Sequence, residues 1–395
     1  MKRILLATAT SGLLVGAASA EDVNVGIILG FTGPLESITP GMAAGAELAF
    51  TEASASGNLP GGATINVIRS DSTCIDAAAA TTAAEAQITS DNVAAIMGAD
   101  CSGVTTAIAN NVAVPNGVVM ISPSATSPAL SDIEDDGFFF RTAPSDARQG
   151  VVIADILNER GIDNVAITYT NNDYGKGLAD AIAAAITANG GTVAISAAHE
   201  DGKGDYSAEV AALQASGAEH LIVAGYVDQG GVGIVQASLD TGAFDSFFFP
   251  DGMFGQSLIN SVGPELDGKV IGTLPGVEGE GADVFAQVAE AAGLDPSGTY
   301  VPESYDAAAL ISLAMAAAGS ADRTAIRDNV LAVANAPGEQ ILAGDLARGL
   351  ELAAAGTDID YQGATGVELI GPGEASGSYR FYEIVDGAAS TIDFR

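Results

Sequence analysis

The chain of 395 residues has two cysteines, Cys74 and Cys101, and the second lies in the run Gly98-Ala99-Asp100-Cys101-Ser102. An apolar strand pattern, Val93-Ala94-Ala95-Ile96-Met97, leads into this run, and a helical pattern from Ser102 to Val112 leaves it. The run therefore sits at the carboxyl end of a strand, where open α/β sheets bind ligands. A helix opening at Ser102 and Gly103 offers unpaired backbone N–H groups, a hydroxyl and the positive end of a dipole, which suit a carboxylate or another small anion. The same residues also read as an ordinary capping serine beside a structural disulfide. Further polar groups follow other strand-like runs. Ser122-Pro123-Ser124-Ala125-Thr126-Ser127-Pro128 carries hydroxyls on a loop stiffened by two prolines, and Asn172-Asp173-Tyr174-Gly175, Gly225-Tyr226 and Pro250-Asp251-Gly252 each follow an apolar run. Singly, Asp251 reads as a turn residue and Tyr174 or Tyr226 as a part-buried aromatic. Together they supply hydroxyls, one carboxylate and aromatic faces, a set that fits a small zwitterion.

Covalent chemistry finds little support in the same inventory. The two histidines, His199 and His220, stand in no nucleophile-elbow, triad or metal-ligand pattern, and His220 begins an apolar run as a strand-end residue would. The glycines between 225 and 233 complete no dinucleotide or phosphate-loop fingerprint. Asp201-Gly202-Lys203-Gly204-Asp205 resembles a calcium loop only loosely, because Lys203 stands where an oxygen donor is needed, and it reads as a turn. A binding protein without cofactor or metal is expected, not an enzyme.

The elements that must position these residues follow a regular rhythm. Strand-like runs alternate with Ala-rich helical stretches, as in βαβ units with parallel sheets. Strands are expected at 23–29, 64–70, 93–97 and 117–121, with helices near 41–55, 75–89 and 102–113. The pattern repeats with strands at 164–169, 192–197, 220–224 and 247–250, and helices near 147–160, 175–188, 206–216 and 229–240. The spacing predicts an α/β protein of two doubly wound, Rossmann-like lobes. Phe140-Arg141-Thr142-Ala143-Pro144 lacks helical periodicity and is a candidate crossover between them, as is Thr273-Leu274-Pro275-Gly276. A helical region, 281–355, precedes a strand-rich tail, 366–395, which is too short for a domain and must join an existing sheet. This places 21–143 and 276–357 in lobe 1, and 144–275 and 358–395 in lobe 2, with a multi-strand hinge and a cleft between them.

Lys2-Arg3, the apolar run from Ile4 to Ala17 and the small residues Ala18-Ser19-Ala20 read as a signal peptide over 1–20, cleaved before Glu21. Export favours a disulfide between the two cysteines over metal binding or catalysis. In the chain-entropy model a closed loop of this size stabilises the fold by roughly 3 to 4 kcal/mol. Fifty acidic residues against 14 basic ones, a formal charge of −36, argue against nucleic acid and anionic membrane surfaces as partners. The charge is spread along the chain, as a solvated acidic surface requires; a docking face for a cationic partner is the other reading.

At these residues the chain resembles the type I periplasmic solute-binding proteins of ABC importers, in the branched-chain amino acid (leucine/isoleucine/valine) binding group. The carriers are Gly33-Pro34, Cys74, Asp100-Cys101-Ser102, Ile121-Ser122-Pro123-Ser124-Ala125-Thr126, Phe140-Arg141-Thr142, Asp146 with Gln149-Gly150, Asp173-Tyr174-Gly175, Gly225-Tyr226, Pro250-Asp251-Gly252 and Tyr305-Asp306-Ala307. None is specific alone; their order and spacing are. The resemblance implies a ligand α-carboxylate held by the hydroxyls and backbone N–H groups of Ser102 and Thr126. It implies an α-ammonium held by Asp251, the Ser124 carbonyl and the Thr126 hydroxyl, with Tyr174 and Tyr226 closing from the second lobe. Asp251 departs from the glutamate of the leucine-binding members. The matched side-chain pocket is Ile38, Asp100 and Tyr300. Asp100 facing the ligand would favour a polar or cationic side chain, whereas Asp100 capping the helix at Ser102 would say nothing of specificity. The implied protein is a periplasmic monomer that delivers an amino acid to an inner-membrane ABC permease. The alternatives are a non-amino-acid solute (an amide, urea or small carboxylate) or a sensory protein of the same fold.

Overall fold

The computed structural model describes residues 22–395, so the expected signal peptide lies outside the described residues. The chain begins with β1 (Val23–Leu29), α1 (Thr39–Ser56), β2 (Ile65–Asp71), α2 (Ala77–Thr89), β3 (Ala95–Gly98), α3 (Ser102–Ile108), β4 (Val119–Ser122) and β5 (Phe139–Arg141). Their five strands form one parallel sheet in the order β2-β1-β3-β4-β5. Next come α4 (Asp146–Glu159), β6 (Asn164–Thr170), α5 (Asp173–Ala188), β7 (Thr192–His199), α6 (Ser207–Gln214) and β8 (His220–Ala224). They lead into α7 (Gly230–Thr241), β9 (Ser246–Phe249), α8 (Gln256–Val262) and β10 (Val270–Pro275). The chain then runs through α9 (Glu280–Ala291), α10 (Val301–Ala318), α11 (Arg323–Ala334), β11 (Glu339–Leu342), α12 (Leu346–Ala354) and β12 (Ile359–Gly363). It ends in β13 (Leu369–Ile370), β14 (Glu374–Ala375), β15 (Tyr379–Val385) and β16 (Ala388–Phe394). The second sheet has the order β16-β15-β10-β9-β8-β6-β7, parallel from β7 to β10 and antiparallel at β15 and β16. This is the two-lobed, doubly wound α/β architecture the sequence rhythm predicts, and the tail does add strands to an existing sheet.

Local chemistry explains where the helices start. Asp76 accepts from the N–H groups of Ala78 and Ala79, Ser145 from Ala147, Asn172 from Gly175 and Asp322 from Ala325, each satisfying donors that the first helical turn leaves unpaired. The central strands, such as β3, β8 and β9, are apolar and buried as strands covered on both faces must be, whereas the edge strands β2 and β7 carry polar or exposed residues. α10 is buried along most of its length, and its alanines let α1 pack close against it. Gly98 ends β3 at φ 129°, where a Cβ would lie 2.1 Å from the Ile28 carbonyl oxygen, so glycine alone fits beside the 99–102 loop.

Three expectations need correction. Phe140-Arg141, read as the start of a crossover, instead completes an edge strand paired in parallel with β4, and the crossing begins only after it, at Thr142. Thr273 to Pro275 is likewise strand, paired antiparallel with β15, and the glycine and proline around it hid the signal. Third, the chain does not pass to the second lobe at 358. β12 pairs with β11, and Ile359, Tyr361, Val367 and Leu369 join the core around α10. Asp306 on α10 holds them there, accepting from Tyr361 Oη (2.7 Å), Ala364 N (2.8 Å), Thr365 N (2.9 Å) and Thr365 Oγ1 (2.6 Å).

The connections between the two sheets lie side by side. Pro144 bridges to Ala375, Gly276 N donates to the Ser378 carbonyl (3.1 Å), and Tyr379 Oη donates to the Ser145 carbonyl (3.2 Å). The lobes are closed on each other: one apolar cluster runs from Ile28, Ile96 and Val104 through Ala125 and Tyr174 to Ile167, Leu221 and Phe247. Among the described residues no helix is long and apolar enough to cross a membrane.

Candidate ligand cleft

The first lobe contributes a loop whose shape is set from below. Ser122 at the end of β4 donates to the Ala99 carbonyl (2.5 Å) and accepts from the backbone N–H of Ala125 (2.9 Å), which turns the chain upward. Arg141, buried under this loop, donates to the carbonyls of Ala125 (3.1 Å) and Ser127 (3.0 Å), to Ser131 (2.9 Å) and to Glu374 (2.7 Å). Its guanidinium thereby fixes the backbone that carries Ser124 and Thr126. Ser102 opens α3, and its Oγ accepts from Ser127 N (3.1 Å). Ser124 Oγ donates to the Asp100 carbonyl (3.1 Å), while the buried Thr126 hydroxyl has no partner. The disulfide Cys74–Cys101, with Cα atoms 5.2 Å apart, ties the loop after β2 to the start of α3.

The second lobe supplies the opposing wall. Tyr174 lies in the first turn of α5 and Tyr226 just after β8; their rings stack with centroids 5.2 Å apart at 17°. Tyr174 Oη accepts from Gly252 N (3.2 Å), and a Cβ on Gly252 would approach that oxygen to 2.7 Å, so the contact requires glycine. Asn172 Nδ2 reaches Tyr226 Oη at 3.4 Å. Asp251, after β9, is buried; its Oδ2 accepts from Tyr300 Oη (2.6 Å) across the cleft and its Oδ1 has no partner. Burial raises the Asp251 carboxyl above the ordinary carboxylate range, against the lowering effect of the Tyr300 hydrogen bond. Burial, then the charge of Asp251, pushes the Tyr174 and Tyr300 phenols well upward, so both stay protonated donors.

Ser102, Ser124, Thr126, Tyr174, Tyr226, Asp251 and Tyr300 are thus brought to the buried face between the lobes. The expected side-chain pocket is not assembled as one lining. Ile38 faces a separate interlobe cavity of about 440 Å³ with Phe254, Thr299 and Val301. Asp100 takes neither of its two expected roles. Its Oδ2 accepts from Gly30 N (2.9 Å) and its Oδ1 from Ser72 Oγ (3.0 Å), so it ties together the loops after β1 and β2, and the cap of α3 is Cys101, with no side-chain bond. Tyr300 serves Asp251. Two further buried polar residues, noted from the sequence only as markers of the resemblance, lie beside these groups. Asp146 opens α4, donates its N–H to the Thr126 carbonyl (2.9 Å), and leaves both carboxylate oxygens buried without a partner. Gln149, one turn on, donates through its Nε2 to the Thr273 carbonyl (3.4 Å) and hydroxyl (3.3 Å), and it also lies close enough to Asp251 to lower that carboxyl. Two polar residues three apart on a helix face that otherwise buries Val152, Ile153 and Ile156 are the signal that marks them.

The sequence pattern of the periplasmic binding proteins matches residues 22–365. The chain is similar to the leucine-, isoleucine-, valine-, threonine- and alanine-binding protein of Pseudomonas aeruginosa, with 27% identity over 82% of this chain and 85% of that one. It is equally similar, at 27% identity over 94% of this chain and 89% of its counterpart, to the chemotactic signal transduction system substrate-binding protein BasB of Halobacterium salinarum. Its fold matches the branched-chain amino acid transporter substrate binding protein LivJ of Streptococcus pneumoniae, solved in complex with isoleucine, at a TM-score of 0.76 and 21% identity over 94% of this chain and 99% of that one. With two parallel-sheet lobes, a closed cleft and this sequence pattern, the chain belongs to the periplasmic binding protein family.

Proposed function

We propose that this protein traps an amino acid between its lobes in the periplasm and presents the closed form to an inner-membrane ABC permease, acting as a monomer and without chemical turnover. In this reading residues 1–20 are a cleaved export signal. The moving bodies are the units built on the two sheets, joined near 142–145, 276 and 376–378. The α-carboxylate takes the Ser102 and Thr126 hydroxyls and the loop N–H groups; the α-ammonium takes Asp251, the Ser124 carbonyl and the Thr126 hydroxyl. The observation that carries the reading is Asp251 Oδ1, a buried and unpartnered acceptor between stacked tyrosines and a hydroxyl-bearing loop. A buried ammonium needs such a carboxylate, and a carboxylate needs preorganised donors. Ligand contacts from the second lobe then stabilise closure as a population shift.

A thermal-shift screen of unfolded and refolded protein against the common amino acids, urea, amides, polyamines and small carboxylates tests the reading. An extrinsic dye is needed because the chain has no tryptophan. Stabilisation by α-amino acids supports the zwitterion clamp; a shift with another solute and silence from every amino acid would keep the fold and remove this ligand class. The likeness to a chemotactic substrate-binding protein over 94% of this chain favours a second reading, a sensory receptor. Adjacent genes for a permease and an ATPase support import, and an adjacent transducer gene supports sensing.

A further inference from the structure

Asp146 and Asp251 are both buried, and three of their four carboxylate oxygens, Asp146 Oδ1 and Oδ2 and Asp251 Oδ1, accept no hydrogen bond. The Thr126 hydroxyl and Gln149 Oε1 beside them are likewise unpartnered. Neutral donors lie near, the Thr126 hydroxyl beside Asp146 and the Gln149 amide and Tyr174 phenol beside Asp251, but none closes a hydrogen bond onto these three oxygens, so much of the desolvation penalty of two buried carboxyls is left uncompensated. The buried cation nearby, Arg141, has both terminal nitrogens on Ala125, Ser127, Ser131 and Glu374 and bonds neither aspartate, although its charge favours an ionised Asp146.

We propose that Asp146 and Asp251 form a carboxyl dyad that holds one proton in the ligand-free protein and releases it to solvent when the cationic nitrogen of the ligand enters beside them. The proposal deepens the amino-acid reading above and rests on it. Charge balances: an ammonium enters, one proton leaves, and the dyad passes from singly to doubly ionised. Two like charges sharing a low-dielectric site cannot both ionise freely, and one proton relieves both burial and repulsion. The Asp146 carboxyl is pushed well above the ordinary range, by burial first and by the charge of Asp251 second. The other groups facing the dyad are the phenols of Tyr174 on α5, Tyr226 after β8, Tyr300 at the start of α10, and Tyr379 and Tyr382 on β15, with the neutral Thr126 and Gln149. Burial first, and then aspartate charge, hold those phenols protonated and neutral, so they add no further negative charge and none offsets that of the dyad. An ammonium supplies both missing quantities, three N–H donors and a charge.

The test is calorimetric binding of L-leucine and L-alanine at pH 6 to 8, in buffers of different ionisation enthalpy, to the wild type and to Asp146→Asn. The expected wild-type result is release of up to about one proton per ligand, with affinity rising as much as about tenfold per pH unit below the dyad's upper titration. In Asp146→Asn the side-chain amide replaces the shared proton, so release falls to near zero and the affinity becomes flat with pH. Titration of the ligand-free protein labelled with carboxyl-¹³C aspartate provides a ligand-independent reading: Asp146→Asn and Asp251→Asn should each remove the same high-titrating behaviour. Binding without proton release in the wild type, or undiminished release in Asp146→Asn, overturns the dyad. If neither amino acid binds while the aspartate resonance still titrates high, the amino-acid reading fails and the resident proton stands. If the resonance titrates in the ordinary carboxylate range, the dyad is refuted whatever binds.

Discussion

Asp251 meets Tyr300 at 2.6 Å, so one of its oxygens is fixed by a donor from the opposite side of the cleft while the other, buried, accepts no hydrogen bond. Asp251→Asn keeps a group that can accept from Tyr300 but removes the charge. It should weaken amino-acid binding by about 100-fold or more, the scale of losing one partner of a buried ion pair, with a melting temperature within a few degrees of the wild type by calorimetry. A different carboxyl governs stability. Glu303 on α10 is buried, and burial raises its carboxyl from 4.5 to about 8. Because the folded value is the higher one, the folded state binds the extra proton. The stability this contributes is complete below about pH 4.5 and is lost as pH rises to about 8. Glu303→Gln should therefore exceed the wild type in denaturant-unfolding free energy at pH 9 by roughly 3 to 5 kcal/mol relative to their difference at pH 4. An unchanged difference across that range would remove Glu303 from the balance.

Elements were legible where local chemistry decides them. The strands β1, β2, β6 and β8 and the capped helices α2, α4 and α5 lie where apolar runs and Asp, Ser or Asn at the N-cap place them. β5 and β10 were not legible as strands, since three residues at an edge and a run ending in proline carry little periodicity; they are strands because β4 and β15 supply hydrogen-bond partners. At this scale the disulfide makes its own prediction. Cys74 and Cys101 are buried, 27 residues apart, and link two loops that converge on Asp100. Replacing both with Ala should cost roughly 3 to 4 kcal/mol and lower the melting temperature by several degrees under oxidising conditions, measured by thermal denaturation. A melting temperature equal to that of the wild type would show that the link adds nothing to stability in solution.

Across the whole molecule, closure is held at the cleft edge as well as at the site. Ser37 N donates to Asp228 Oδ2 (2.8 Å), Asp228 N donates to the Pro34 carbonyl (3.2 Å), and Thr299 Oγ1 donates to the Phe254 carbonyl (2.9 Å), each bond joining the first lobe to the second. Asp228→Ala removes one such contact away from the ligand groups. It should weaken binding about threefold to tenfold and increase the radius of gyration of the ligand-free protein in small-angle scattering, because the closed population falls. An unchanged affinity and scattering curve would show that closure does not depend on that edge. The residue order alone determined the α/β class, the two lobes, the convergence of strand-end hydroxyls, tyrosines and Asp251, and the cysteine pairing that suits export. These follow from periodicity, turn chemistry and the rule that parallel sheets bind at their carboxyl edges, all of which act over short stretches. Only the tertiary structure decided that Asp100 braces loops, that Asp306 keeps 359–369 with the first lobe, and that Asp146 is buried near Asp251 with no ion-pair partner. The physical reason is that a carboxylate's role depends on which donors the fold brings to it, and those donors come from residues distant in the chain.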